Sequence, residues 1–520
     1  MLSAVHLLQR IEARTVRDAA DYIRHHYFSN ASNRPYHEGA QNIYFDGWNG
    51  LGASAVLAAI AEQARSQEHK FDIVIHVDCS VWESKRAMQR RIAEELKLDR
   101  SAMDLFDKQD EEDDFSGVDK SSRAEIPDVG RLIFNRTMGR TLLVIFQNGS
   151  DDEIDFGNFG IPIFDWSGNM IVWTFQGSFR LDRSIKDKVK SAHIYLSVSI
   201  ISYGKKFSFY KASLTNNEIL KLLHEEASQV LHDINPSLIT DCWLYLCLFY
   251  FDHDNLIDYY EYAHASNYWV CDGIIPGEGS VPWETGQRVH EAIRLEYLHT
   301  KKNRTLFHWS PVDLLEEKKK SAWISVTSKN VKNQVIPTVP EDATSYFLTL
   351  EKSDRLTALP KHLFHQSIKL CVLRLSCCTF SFASPPFICC RNLKFILLDS
   401  CRAEDVDLID DIDKKHVIEW EFLKSLWVLD IRDTNWDWIL SPSKMVLMTE
   451  LRELNLKAVG ASSCVWDMSK LELTWLCNLQ ILRVIDSPTF FTTLVQDPFM
   501  GMQNLELLDL SGNSDFSTFQ

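Results

Sequence analysis

Between Leu370 and Asn513 the chain meets the spacing LxxLxLxx(N/C) six times, at least in its apolar positions. The copies are Leu370, Leu373, Leu375, Cys378; Leu393, Ile396, Leu398, Cys401; Leu426, Leu429, Ile431, Thr434; Leu451, Leu454, Leu456, Val459; Leu479, Leu482, Val484, Ser487; and Leu505, Leu508, Leu510, Asn513. A looser copy holds Leu348 and Leu350. No single copy can bury its own apolar residues, so the copies must stack, each giving one short strand to a continuous core. Residues 331–520 are therefore expected to form a solenoid of leucine-rich repeats. Cys378 and Cys401 fill the asparagine/cysteine slot, a structural position. Side chains between the leucines should share one concave face: Lys394, Phe395, Trp427, Val428, Arg452, Glu453, Gln480, Ile481, Glu506 and Leu507, with Asp399, Arg432 and Asn455. Exposed Trp and Arg are enriched in binding hot spots, so this face is expected to be an interaction surface for a partner or for another part of the chain.

Upstream, Asn42 to Glu68 reads as strand, glycine turn and helix: Asn42 to Asp46, then Gly47-Trp-Asn-Gly-Leu-Gly-Ala-Ser54, then the apolar run from Ala55 to Glu62. In the phosphate-binding pattern GxxxxGK[ST], glycines let backbone N–H groups curl round phosphate at a helix N-terminus, lysine neutralises charge and the hydroxyl holds Mg²⁺. Gly47, Gly52 and Ser54 stand in register with that pattern, and Gly50 lies within it, but the lysine slot is Ala53. Four further apolar runs follow, Phe71 to Cys79, Thr141 to Phe146, Asn169 to Thr174 and His193 to Val198. Alternating with helical segments, they predict a doubly wound parallel α/β domain over about 41–205.

Residues 1–40 are expected to be a short helical segment, since Val5, Leu8 and Ile11, then Val16, Ala19 and Ile23, recur at three- and four-residue intervals. Ser84 should open a helix with Met88, Ile92 and Leu96 on one face, and the acidic run Asp110 to Asp114 has the composition of an exposed loop. From Ser213 the period is helical, with Leu214, Ile219, Leu222 and Leu223, then Ile239 to Phe251, then Gly286 to Leu298, so that 206–330 is expected to be a helical region.

A net charge of −17 argues against a nucleic-acid or membrane-surface role, which needs a concentrated basic face. The basic run Lys318 to Lys320 follows Glu316 and Glu317 and reads as a solvated face. The N-terminus is too polar for a signal peptide and no run has the apolar length of a membrane span, so a soluble cytoplasmic protein is expected. The twelve cysteines, scattered through apolar segments, fit reduced thiols. Cys377-Cys378 and Cys389-Cys390 lack the CxxC spacing that wraps zinc. His76 and His193, in apolar strands, read as core residues with satisfied hydrogen bonds.

This order of segments resembles plant nucleotide-binding leucine-rich-repeat immune receptors, the NB-ARC family, from about residue 41 onward. The likeness is also local. Phe71 to Ser80 with Ala93-Glu-Glu-Leu96 looks like the segment after that family's phosphate loop, and Cys242 to Phe249 looks like its CFLYCSLFP motif. Asn267 to Ile274 sits where the family reads W-x-A-E-G-F and resembles a divergent cereal-type branch. The resemblance implies an ARC or winged-helix-like helical region. It implies ADP as cofactor, held at Gly47, Gly50, Gly52, Ala53 and Ser54 with His290 of Val289-His290-Glu291 in the MHD position. It implies protein partners for the repeats: a pathogen effector, a guarded host protein or another such receptor.

The departures from the family concern charge. Where the family has LLVLDDV this chain has Leu142 to Gln147, placing Phe146 and Gln147 in the carboxylate slots, and TTR appears as Thr174-Phe-Gln176. The GLPLA segment has no counterpart between Lys221 and Asp241. Removing one group that stabilises a transition state costs on the order of 2.7–4 kcal/mol, so the loss of several predicts no enzyme. The leading expectation is a non-catalytic defence protein that senses or scaffolds through its repeats. A nucleotide-operated switch ATPase and a repeat scaffold without immune role are the alternatives.

Overall fold

The computed structural model describes residues 7–28, 41–45, 52–66, 71–78, 84–149, 153–154, 156–162, 169–175, 180–181, 192–197, 215–250, 264–277, 279–302, 314–315, 317–328, 331, 336–350, 357–404, 420–457, 466–467, 476–486, 489–490 and 502–512. They form two compact units, 1–240 with 288–314 and 241–287 with 315–520.

In the first unit six strands make one parallel sheet, in the order Leu7–Glu12, Ala192–Ser197, Gln41–Phe45, Met170–Phe175, Leu142–Gly149, Ile73–Asp78. Leu142 to Phe146 and Met170 to Val172 are fully buried, as strands enclosed on both faces must be. The four apolar runs expected to be strands after the glycine turn each lie on one of these strands, and the run from Ala55 to Glu62 lies on the helix Ala53–Ser66. The helical reading of the first residues holds only from Val16. Leu7–Glu12 is a strand paired with Ala192–Ser197, and Thr15 then caps Val16–Ile23 by accepting from the Asp18 N–H at 3.1 Å. So short an apolar run fits either period, and the partner strand decided it.

A second correction concerns the acidic run. Asp110 to Asp114 lies in the helix Arg100–Phe115, whose N-cap is Asp99. Arg86 Nη1 and Arg90 Nη2 each donate to Asp110 at 2.9 Å, and Arg123 donates to Asp110 at 3.2 Å and pairs with Asp114. Burial opposes the charge on Asp110, yet these three guanidiniums hold its pKa below the usual carboxylate range. Composition marked the run as solvated because its arginine partners lie elsewhere in sequence. Ser84 caps Lys85–Glu95 as expected, and Met88, Ile92 and Leu96 are buried.

The second unit is a solenoid. Eight parallel strands stack in chain order: Trp323–Thr327, Ser345–Thr349, Val372–Ser376, Phe395–Asp399, Val428–Arg432, Glu453–Lys457, Ile481–Ile485 and Leu507–Asp509. The first of these falls inside the stretch expected to be helical. Equivalent leucines meet in register, Leu429 opposite Leu454 and Leu454 opposite Leu482, and form one core with Leu373, Ile396 and Phe364. Behind the strands of the middle repeats aromatic rings interlock; Phe387 touches Phe364, Phe380, Phe422 and Trp436. No helix of the described residues is long and apolar enough to cross a membrane.

Candidate functional site

Gly47 and Gly50 lie outside the described residues. Gly52 has φ +74°, a left-handed conformation that glycine adopts without strain, and it leads into the helix Ala53–Ser66. Ala53, Ser54 and Ala55 are buried. A helix start presents unpaired N–H groups and positive potential. Here that potential faces a carboxylate of the same unit: the Ala55 N–H donates to Glu226 Oε2 at 3.2 Å, and Ser54 hydrogen-bonds the same group through its hydroxyl and its backbone.

Glu226 is carried by the helix Asn216–Val230, whose start is set by a capping box between Thr215 and Glu218. Arg14 donates to both oxygens of Glu218, at 2.8 and 2.9 Å, and that bond brings the Glu218 pKa down to about 2. Burial raises the Glu226 pKa to about 7, against the hydrogen bonds from Ala55 and Ser54, and Asp78 raises it further. In sequence, Glu226 follows Ile219, Leu222 and Leu223 at helical spacing, so a carboxyl on an apolar face was the signal that could have found it.

ADP, which the resemblance implies, would bring its phosphates to the helix start that Glu226 already meets, where Ala53 supplies no cation. Gln147, in a carboxylate slot, is buried, and its Oε1 pairs with His76 Nε2 at 2.9 Å across neighbouring strands. Thr174 donates to the Phe45 carbonyl at 3.2 Å. His290 is half-buried on the helix Val281–Lys302.

The concave repeat face is the second candidate, and the structure closes its centre. The helix Ala265–Asp272 lies against it within the second unit. His264 Nε2 donates to Asp430 Oδ2 at 2.7 Å, and Arg432 grips the same carboxylate with two bonds, at 2.8 and 2.9 Å. Asn267 Nδ2 donates to Glu453 Oε2 at 2.7 Å, and Arg483 and Asn455 donate to its other oxygen. Burial works against the charge on Asp430, but Arg432 and the His264 bond hold its pKa far below the carboxylate range.

Apolar contacts complete the cover. Phe395 packs edge-on against Tyr268 at 4.7 Å, Trp283 lies 5.3 Å from Trp427, and the Lys394 and Arg452 cations sit over these two indoles. At the helix end, half-buried Asp272 accepts from Trp323 at 3.1 Å, from Thr344 at 2.8 Å and from Ser345. Of the residues expected on an open face, Phe395, Val428, Glu453 and Asn455 are therefore buried, while Glu506 and Leu507 are exposed. Asp430 and His264 were not among the residues singled out from the sequence, and Asn267 entered only as the start of the segment Asn267 to Ile274. The aspartate inside Leu429-Asp430-Ile431, two residues before Arg432, was the only local sign of this contact.

A cavity of about 1050 Å³ in the first unit, lined by Lys85, Ser122, Arg123, Arg131, Asn135 and Asn158 among others, includes neither the Gly52 turn nor Glu226. Its Arg123 and Arg131 are already paired with aspartates. Among the described residues no group of three or more His, Cys, Asp or Glu could hold a metal ion.

No protein-family model matches the sequence, and a comparison with curated protein sequences finds no match. A search of solved structures returns an internalin from Listeria monocytogenes at 13% identity and a TM-score of 0.20, over 33% of this chain and 55% of that one. The chain thus spans about half of that internalin, and at this similarity the match carries no argument about fold or activity.

Proposed function

We propose that this chain is a cytoplasmic receptor-like protein of the plant nucleotide-binding leucine-rich-repeat kind, which acts in defence by sensing or scaffolding through its repeats and does not hydrolyse nucleotide. The observation that carries the reading is the docking of Ala265–Asp272 on the concave repeat face through His264–Asp430 and Asn267–Glu453. A binding face already holding a segment of its own chain is one on which a partner competes with that segment. Pathogen effectors, guarded host proteins and related receptors are the partner classes this reading takes. The parallel sheet with a glycine turn after an interior strand supports the nucleotide-binding ancestry, and Ala53, Gln147 and Glu226 weigh against the switch-ATPase alternative.

Expression in leaves tests the reading. The Asp430→Ala variant, which loses the acceptor of His264 and Arg432, should induce defence markers or cell death above the wild-type level. No response from either form, at equal accumulation, overturns the immune role and leaves the scaffold reading.

A further inference from the structure

The first unit exposes both halves of a contact that neither candidate site uses. Phe115 ends the helix Arg100–Phe115 and is 95% exposed, and Val118 just beyond it is exposed as well. The helix end is held in place: Gly117 takes the left-handed φ of +71°, and the Val118 N–H donates to the Asp113 carbonyl at 2.9 Å. Glu111 and Glu112 lie four and three residues before Phe115, hence on its side of the helix. Both are exposed, and neither is ion-paired among the described residues. An aromatic ring thus projects into water from an acidic turn.

The opposite chemistry lines the cavity of about 1050 Å³. The helix Pro127–Thr137 gives it Pro127, Arg131 and Phe134, a stripe at helical spacing that Met138 extends, with Phe134 and Met138 both exposed. Lys85, at the start of the helix Lys85–Glu95, also lines it, is exposed and has no ion-pair partner among the described residues. Arg131 is tied only to Asp128, an exposed neighbour on its own helix, and such pairs contribute little. Against these cations the lining offers one carboxylate, Glu125. In a chain of net charge −17 this is a local reversal of sign.

We propose that the occupant of this cavity is Phe115 of a second copy of the chain, with Glu111 and Glu112 of that copy set against Lys85 and Arg131. The two halves are near neighbours: Ser121, on the cavity wall, is joined to Phe115 by a stretch that spans about 20 Å at most. A projection and a cavity so close together let two copies insert reciprocally about a two-fold axis, so the assembly closes as a dimer and does not extend into a fibre. Pockets for drug-sized ligands run to about 300–1,000 Å³, so this cavity takes the ring together with the side chains beside it. Burial of the ring supplies the attraction, and the carboxylate–cation pairs fix the register.

Analytical ultracentrifugation of the full chain, from micromolar to tens of micromolar, tests this. Wild type should pass from monomer to dimer without larger species. Phe115→Ser, at a position too exposed to matter for folding, should weaken the dimer about tenfold or more. Glu111→Lys with Glu112→Lys in one chain, and Lys85→Glu with Arg131→Glu in another, should each stay monomeric alone. Mixed together they should form a heterodimer, because both junctions regain opposite charges. Wild type that stays monomeric throughout overturns the proposal in favour of a different acidic occupant. A dimer undiminished in Phe115→Ser overturns it in favour of another face, such as the one carrying exposed Leu507 and Leu508. Charge-reversed chains that fail to pair on mixing overturn it as well.

Discussion

Glu226 and Ala55 are 171 residues apart in sequence, yet the carboxylate of one receives the backbone N–H of the other at 3.2 Å, at the start of the helix where a phosphate-binding chain would present its donors. The contact brings a charge to the glycine turn that is opposite to the one its pattern suggests.

The first prediction is a pH dependence. Glu226 has its folded pKa raised from 4.5 to about 7, so the native state binds the extra proton between those values. The sign follows: this contribution to stability is fully present below about pH 4.5 and is lost as pH rises through 7, a change of about 3 kcal/mol at most. Glu226→Gln keeps the shape of the protonated acid and should flatten that dependence, gaining stability over wild type at pH 8 but not at pH 5. Hydrogen exchange at Ala55 and Val56 across that range measures it, and parallel wild-type and mutant profiles would refute it.

A second prediction concerns hydrolysis. Purified protein should release no phosphate from ATP above background, and Ala53→Lys alone should not restore turnover, because Phe146 and Gln147 still leave Mg²⁺ without a carboxylate anchor. A rate that follows the protein through chromatography and is abolished by EDTA would contradict this.

The third prediction opens the concave face. Asp430→Ala leaves Arg432 and His264 without their shared acceptor in a buried setting, a loss expected to cost about 3–5 kcal/mol. Amides of Ala265–Asp272 should exchange faster while those of Phe395–Asp399 become only locally exposed. Because the Asp430 pKa is depressed in the folded chain, its contribution is present above about pH 4 and is lost as pH falls further. The closed face should therefore loosen in acid, and unchanged exchange of Ala265–Asp272 at pH 3 would count against the latch.

Leu429 and Leu454 supply the fourth. They are register partners in adjacent repeats, each 1% exposed. Leu→Ala at either should cost about 2–5 kcal/mol, and Leu→Asp should abolish the folded repeats, since an unpaired charge has no partner in that stack. Limited proteolysis checks this, and unchanged resistance in both Asp variants would show that the repeats stack differently.

Much of the fold was legible beforehand because it rests on local periodicity. The six leucine patterns determined parallel strands at Val372, Phe395, Val428, Glu453, Ile481 and Leu507, since each strand's apolar residues can be buried only by the next. The apolar runs around Val144 and Val172 likewise determined strands enclosed on both faces. The tertiary structure alone decided what occupies the two candidate sites. Glu226 reaches Ala55 and His264 reaches Asp430 across 171 and 166 residues, distances at which no pattern in the chain specifies a partner. A glycine turn states only that donors face outward, and a repeat spacing only which side chains share a face; the group that meets them is set by the packing of helices far away in sequence.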